Sequence, residues 1–352
     1  MSLSVGIVGF PNVGKSTLFE ILTKKRVAKT NFPFCTIDPN IGLVVIPDNR
    51  LIEISKLIKP QKTTMAIIKF IDIAGLIEGA SQGAGLGNKF LAHIQETNLI
   101  LFLLRAFQKE EIINTREEVD PLKEGNLLEN ELALKDLETI EQRISFLTKG
   151  AKMAKREIVI ETKLLTKIKE AITEERPFNQ EDLSVVELKL LKQYRFLTLK
   201  PRIYLLNGRE EEISQKTKEE LSKKGVVLSI DVLSEYEQLE LNLEGGTFLD
   251  IDSKSKIDEL IQEVFNLLDL LTFFTFNANE VRAWKIKRGT TALLAAGLIH
   301  TDFQNNFIKA EVIPWDVLIK AGGLIEARKL GMTRIEGKNY IIKDGDVIEI
   351  KI

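Results

Sequence analysis

Gly9-Phe10-Pro11-Asn12-Val13-Gly14-Lys15-Ser16-Thr17 follows directly on the apolar run Val5-Gly6-Ile7-Val8. It fits the phosphate-loop pattern G-x-x-x-x-G-K-[ST], with a strand predicted before it and a helix after it, as the pattern requires. Leu18, Phe19, Ile21 and Leu22 recur at helical spacing through Lys24, and no Pro or Gly interrupts them. Gly9 and Gly14 permit a backbone that turns successive N–H groups inward around a phosphate. The helix N-terminus adds partial positive charge at the same place. Lys15 can reach the β- and γ-phosphates, and the Ser16 hydroxyl can ligate Mg²⁺.

The next segments extend this reading. Asn31-Phe32-Pro33-Phe34-Cys35-Thr36-Ile37-Asp38-Pro39 carries two prolines that block a helix, which makes Thr36 a candidate switch-loop ligand to Mg²⁺ and the γ-phosphate. Ile67 to Asp72 reads as a strand ending in the aspartate of Asp72-Ile73-Ala74-Gly75, a D-x-x-G pattern. In that pattern the aspartate supports the metal through water and the glycine N–H senses the γ-phosphate. Leu76 stands where Ras-like proteins keep a water-orienting glutamine, and a leucine cannot polarise water. Gly79, Gly83, Gly85 and Gly87 predict a loop that reorders with nucleotide state. Leu99 to Leu104 predicts a further buried strand.

Asn207-Gly208-Arg209-Glu210 falls at the end of the strand predicted for Pro201 to Leu206, where open α/β sheets place their ligands. Guanine-specific proteins carry N-K-x-D there. The lysine and aspartate are missing, which argues against strict guanine choice and admits adenine, an amide being able to serve the N6 donor and N1 acceptor. The strand Val226 to Ile230, with Ser229, is expected to flank the base.

At 352 residues with net charge −2, the chain suits two domains with an insertion, and no global field draws it to nucleic acid. A single cysteine, Cys35, fits a reducing compartment, and no apolar run reaches membrane-spanning length. The first strand begins almost at the N-terminus, so no signal peptide is expected and a cytoplasmic location follows. Residues 117–197 are charged and glycine-poor. Leu127, Glu131, Leu134, Leu137, Ile140 and Ile144 are expected on one helical face, with Ile158, Leu164, Leu165 and Ile168 on an antiparallel return. The basic residues between Lys149 and Lys169 suit a phosphate backbone or, equally, a solvated face. From Leu271 the pattern changes to strands and turns, with Trp284 to Gly289 and Ile341 to Ile350 as edge and terminal strands and Lys343-Asp344-Gly345-Asp346 as a tight turn. Arg282, Lys285, Lys287 and Arg288 near Trp284 offer charge and stacking to RNA, although core packing accounts for most of the aromatics. His300, beside Asp302, is read first as a buried hydrogen-bonding residue and second as part of a contact surface, and His93 as a surface or packing residue.

With the motifs in this order, the chain resembles the YchF/Obg-like ATPase family of P-loop proteins. The phosphate loop, Asn31 to Ile37, Asp72 to Leu76, Gly85-Leu86-Gly87-Asn88-Lys89-Phe90-Leu91, Glu280 to Trp284 and Ala295 to Phe303 carry the resemblance, which spans essentially the whole chain. It implies an α/β nucleotide-binding domain (1–116 and 198–270) with a mostly parallel sheet, an inserted helical hairpin or coiled coil (117–197), and a C-terminal ubiquitin-like β-grasp, or TGS, domain (271–352). It further implies ATP hydrolysis with GTP as second choice, Mg²⁺ held by Ser16, Thr36 and Asp72, and association with the ribosome or its RNA through hairpin and TGS domain, with no membrane or DNA partner. Nucleotide contacts are implied for Asn12, Val13, Gly14, Lys15, Ser16, Thr17, Phe34, Asn207, Gly208, Glu210 and Ser229. Members read the base through N-x-x-E, here Asn207 and Glu210, with unusual residues at Gly208 and Arg209. Catalytic roles are implied for Lys15 and Gly75. Asn114 occupies the place of a histidine suspected of assisting hydrolysis; an amide takes no proton at neutral pH, so slow turnover is expected. Asn12 matches an asparagine that helps bind K⁺ in related proteins.

Overall fold

A computed structural model describes residues 3–24, 40–73, 85–107, 119–150, 156–244, 255–277 and 279–352. The chain forms two compact units, one of residues 1–25, 32–42 and 69–256, the other of residues 26–31, 43–68 and 257–352.

In the first unit, β1 (Ser4–Val8) leads into α1 (Lys15–Lys24), which buries Leu18, Ile21 and Leu22. Along the chain there follow β2 (Ile41–Val45), then α2 (Asn49–Ile58) and β3 (Lys62–Thr64), which fall in the second unit, and next β4 (Ile67–Asp72), α3 (Gly85–Glu96) and β5 (Leu99–Arg105), with β6 (Arg202–Asn207), α7 (Gln215–Ser222), β7 (Val226–Ile230) and α8 (Val232–Glu244) after the insertion. Among the described residues the sheet runs β2-β4-β1-β5-β6-β7, and β4, β1, β5, β6 and β7 pair in parallel. The strands β1 and β5, apolar but for the buried Ser4 and Arg105 at their ends and buried at every position, are what a parallel sheet covered on both faces demands. Register sets Ile7 beside Asp72 and Arg105 beside Asn207, so the phosphate loop, Asp72 and Asn207 all emerge from the carboxyl ends of neighbouring strands. Gly85 and Gly87, expected in a loop, instead open α3, whose Phe90, Leu91 and Ile94 are buried. The apolar period beyond them carries the helix back over these residues.

The insertion consists of α4 (Pro121–Gly150), α5 (Arg156–Thr173) and α6 (Val185–Tyr194). Its buried stripe on α4 is Leu128, Leu132, Asp136, Ile140 and Leu147, rotated from the expected one; Leu134 is exposed. The shift is imposed near the start of the helix and at its middle. Gly125 faces Leu221, Leu104 and Tyr204, and Asp136 accepts hydrogen bonds from Leu197 N (3.0 Å), Thr198 N (2.8 Å) and Thr198 Oγ1 (2.7 Å). The return helix behaves as expected, with Leu164, Leu165 and Ile168 packed on Ile140 and Leu147. Lys169 pairs with Glu141 at 2.7 Å, a solvated rather than a free basic face.

The second unit is built on α9 (Lys256–Leu267), β8 (Leu270–Phe276), β9 (Glu280–Lys287), α10 (Ala292–Ile299), α11 (Thr301–Asn305), β10 (Lys309–Pro314), α12 (Trp315–Ala321), α13 (Leu324–Lys329), β11 (Arg334–Glu336) and β12 (Asp346–Lys351). Its sheet, among the described residues, runs β11-β10-β12-β8-β9-β3. A β8–β9 hairpin, a helix across it and a last strand parallel to β8 give a β-grasp. The expected edge strand at Trp284 is not an edge, since β3 pairs in parallel beyond it, and the terminal strand starts at Asp346 and lies between β10 and β8. Gly345 takes φ +86° in the expected turn.

This unit also claims residues 43–68, which a linear division assigns to the nucleotide domain. Arg50 binds Asp344 (2.7 Å) and lies over the Phe274 ring (5.4 Å), Thr64 bonds to Glu280 (2.5 Å), and Lys285 donates to the Ile67 carbonyl. Lys285 is therefore engaged in packing. His300 is exposed rather than buried; its Nδ1 accepts from the Asp302 N–H at 3.2 Å and caps α11. His93 is on the surface as expected. Trp284 stacks on Phe273 at 6.3 Å within the core cluster, with Arg282 4.0 Å above its ring.

Candidate nucleotide-binding site

Two residues in the loop after β1 adopt left-handed backbone: Asn12 at φ 62° and Gly14 at φ +97°. A side chain at Gly14 is excluded twice, because a Cβ there would also lie 2.7 Å from Asn207 Nδ2. At Gly9 a Cβ would lie 2.5 Å from the Leu103 carbonyl, so only glycine lets the loop leave the sheet. Lys15 folds back to donate to the carbonyls of Gly9 (3.0 Å) and Phe10 (3.2 Å). Burial pulls its pKa below the ordinary lysine value, with the nearby Asp72 charge opposing that shift. Val13 is buried, whereas Asn12 and Ser16 face solvent at the mouth of the loop, Ser16 in the first turn of α1.

Asp72, at the end of β4, supplies the most telling atom. Its Oδ1 is buried and has no hydrogen-bond partner among the described residues. Burial raises its pKa, and Lys15 holds the rise in check. A desolvated carboxylate oxygen without a donor is costly unless something positive meets it. A carboxylate of this kind on the strand next to β1, with an exposed serine at the end of the loop that β1 feeds, supplies hard oxygen donors of the type Mg²⁺ takes.

Asn207 is 5 % exposed and its amide is committed. Nδ2 donates to the Val13 carbonyl (2.9 Å) and Oδ1 accepts from the Val232 N–H (3.1 Å). One N–H remains, too little for the two-bond reading of adenine that the sequence suggests; the side chain instead ties the phosphate loop to the first residue of α8. A Cβ at Gly208 would lie 3.0 Å from the Ala106 carbonyl carbon, a tight approach to the backbone beyond β5. Glu210, in a 3₁₀ turn, is 63 % exposed at its side chain and accepts from Ser229 Oγ and Lys218 Nζ. The Lys218 and Ser229 bonds hold its pKa below the usual glutamate value. The structure thus gathers Asn12, Val13, Gly14, Lys15, Ser16, Thr17 and Asp72 at one end of the strands, with Asn207 at the end of β6, Gly208 and Glu210 in the turn that follows, and Ser229 in β7. Phe34, Thr36, Gly75 and Asn114 lie outside the described residues.

Two family profiles match: one described as a 50S ribosome-binding GTPase at residues 4–137, and the YchF GTPase C-terminal profile, described as a protein of unknown function, at residues 270–352. The ribosome-binding ATPase YchF of Bacillus subtilis is 40 % identical over 364 residues, covering 100 % of this chain and 99 % of its own. That of Escherichia coli O157:H7 is 40 % identical over 362 residues, covering 99 % and 98 %. The chain belongs to the YchF family. The solved Schizosaccharomyces pombe YchF GTPase superposes with TM-score 0.85 at 33 % identity, covering 99 % of this chain and 98 % of that one.

Within this YchF chain, sequence reasoning missed Lys218. It stands eight positions after Glu210, on a helix of mostly exposed polar residues, and nothing in its neighbourhood distinguishes it from Lys216 or Lys223. Only the fold of α7 against β7 reveals that it faces the carboxylate. Among the described residues no helix is long and apolar enough to cross a membrane.

Proposed function

We propose that this chain is a ribosome-associated ATPase switch. The observation that carries the proposal is the buried, partnerless Asp72 Oδ1 at the mouth of a glycine-dependent phosphate loop. Ser16, Thr36 and Asp72 would hold Mg²⁺, which when bound neutralises charge on the β- and γ-phosphate oxygens. Lys15 exchanges its two loop carbonyls for phosphate oxygens. Gly75 reports the γ-phosphate, Phe34 packs near the nucleotide, and Asn114 stands where a water-positioning group belongs, so turnover is slow. Asn207 fixes the loop and offers one donor to the purine, while Glu210 and Ser229 face its edge. K⁺ at Asn12 is part of the same proposal.

The release of the segments around Thr36 and Gly75 on hydrolysis alters how the chain meets a ribosome in the cytoplasm, with the helical hairpin and the β-grasp domain, read as TGS, as contact surfaces. The relatives' names supply the ribosome. Turnover assays with ATP and GTP in K⁺ and Na⁺ buffers, alongside ribosome co-sedimentation with ADP and an ATP analogue, test the proposal. Faster ATP turnover and nucleotide-dependent sedimentation are expected; sedimentation indifferent to nucleotide overturns the switch. A GTP-preferring reading is favoured by one observation, the word GTPase in the names of the profile and of the fission yeast structure. Tenfold tighter GTP than ATP binding establishes it instead.

A further inference from the structure

The base-reading corner is not a bare carboxylate. Both oxygens of Glu210 are engaged, Oε1 by the Lys218 ammonium and Oε2 by the Ser229 hydroxyl. Lys218 reaches it from the first turns of α7, a helix fixed by Leu221 in the core and by the Ser214 cap, which accepts from Thr217 N at 3.1 Å. The Lys218 side chain is 25 % exposed, so its ammonium is drawn in against Glu210 and does not range through solvent. Lys256 adds a further positive contribution at the same carboxylate.

The two purines present opposite edges to this corner. Guanine offers adjacent N1–H and N2–H₂ donors, which a free carboxylate satisfies with two oxygens. Adenine offers an N6–H₂ donor beside the N1 lone pair, and a bare carboxylate is repelled by that lone pair. An ammonium held against the carboxylate reverses the balance: it repels guanine's donors and supplies the donor that adenine N1 lacks, while Glu210 keeps an acceptor for N6–H. Asn207 cannot supply this discrimination alone, because its bonds to Val13 and Val232 leave it a single N–H to offer.

We infer that Lys218 is a specificity-determining residue for the purine, converting the Glu210 carboxylate into a donor–acceptor pair that favours adenine over guanine. This deepens the ATPase reading and rests on it. The test is competition of ATP and GTP against a fluorescent purine nucleotide in the full-length wild type, Lys218→Met and Lys218→Arg. Methionine keeps the aliphatic stem on α7, and a circular dichroism melt within a degree or two of wild type checks the fold. The ATP-to-GTP affinity ratio is expected to fall tenfold or more in Lys218→Met and to hold within about threefold in Lys218→Arg, since a guanidinium still donates. A wild type that prefers ATP with a ratio unchanged in Lys218→Met overturns the role of Lys218 and leaves the ATPase reading standing. A wild type that prefers GTP overturns both.

Discussion

Replacing Asp72 by Asn separates the cost of the site from its use. The side chains are isosteric, but the amide is neutral, and Asp72 Oδ1 is buried without a donor. Leaving a buried polar group unpaired costs about 1–3 kcal/mol, and more when it is charged. The attraction to Lys15, which opposes the raised Asp72 pKa, is lost in the variant and offsets part of the gain. The net expectation is a nucleotide-free protein about 1 kcal/mol more stable at pH 7, read as a rise of about 2–4 °C in the melting transition of the nucleotide-binding unit. The sign with pH follows from the raised pKa. Native Asp72 keeps its proton to higher pH than unfolded Asp72, so it makes wild-type stability fall as pH rises above the ordinary carboxylate value of about 3.9. The advantage of the variant therefore vanishes near pH 4 and grows upward. With Mg²⁺ and ATP the order reverses, because wild type gains about 2.7 kcal/mol at a ligand concentration of about 100 Kd, whereas the variant loses the Mg²⁺-dependent part. Melts from pH 4 to 8, with chelator and with Mg²⁺-ATP, measure both. A variant that melts below wild type at pH 7 without nucleotide, or that keeps the full Mg²⁺ enhancement, refutes the reasoning.

Asn207→Ala strands the buried Val13 carbonyl and Val232 N–H, so stability falls by about 2–4 kcal/mol and nucleotide affinity at least tenfold, measured by urea unfolding and competition binding. Asp136→Ala leaves two backbone N–H groups at Leu197 and Thr198 unpaired where the chain returns from the hairpin. It costs about 2–4 kcal/mol in the same unfolding assay while changing nucleotide affinity less than twofold, which separates a structural carboxylate from a functional one.

The phosphate loop was legible because its chemistry is local: two glycines, a lysine and a hydroxyl within nine positions, between a strand and a helix whose apolar patterns are unambiguous. Asn207 was legible as a position but not in its role, since its partners Val13 and Val232 become neighbours only when β6 lies one strand from β5 and two from β1. The rotated face of α4 has a similar origin. Its apolar residues allow more than one stripe, and the choice falls to Gly125 and Asp136, neither of which is apolar surface. The recruitment of residues 43–68 by the β-grasp unit left no trace in composition, because a three-residue strand such as β3 and a single Arg50–Asp344 pair carry no pattern of their own. His300 was legible only as a choice between burial and a contact surface, because capping depends on where α11 begins; it serves as an exposed cap.

The central claim is that this loop grips a triphosphate through Lys15 and a Mg²⁺ supported by Asp72. Calorimetric titration of ATP into the wild-type chain and Lys15→Ala, with Mg²⁺ and with chelator, tests it most directly. The account predicts one site per chain in the wild type, weakened about a hundredfold or more by Lys15→Ala and markedly by chelator. Equal binding by the two proteins, or no heat with either ATP or GTP, contradicts it.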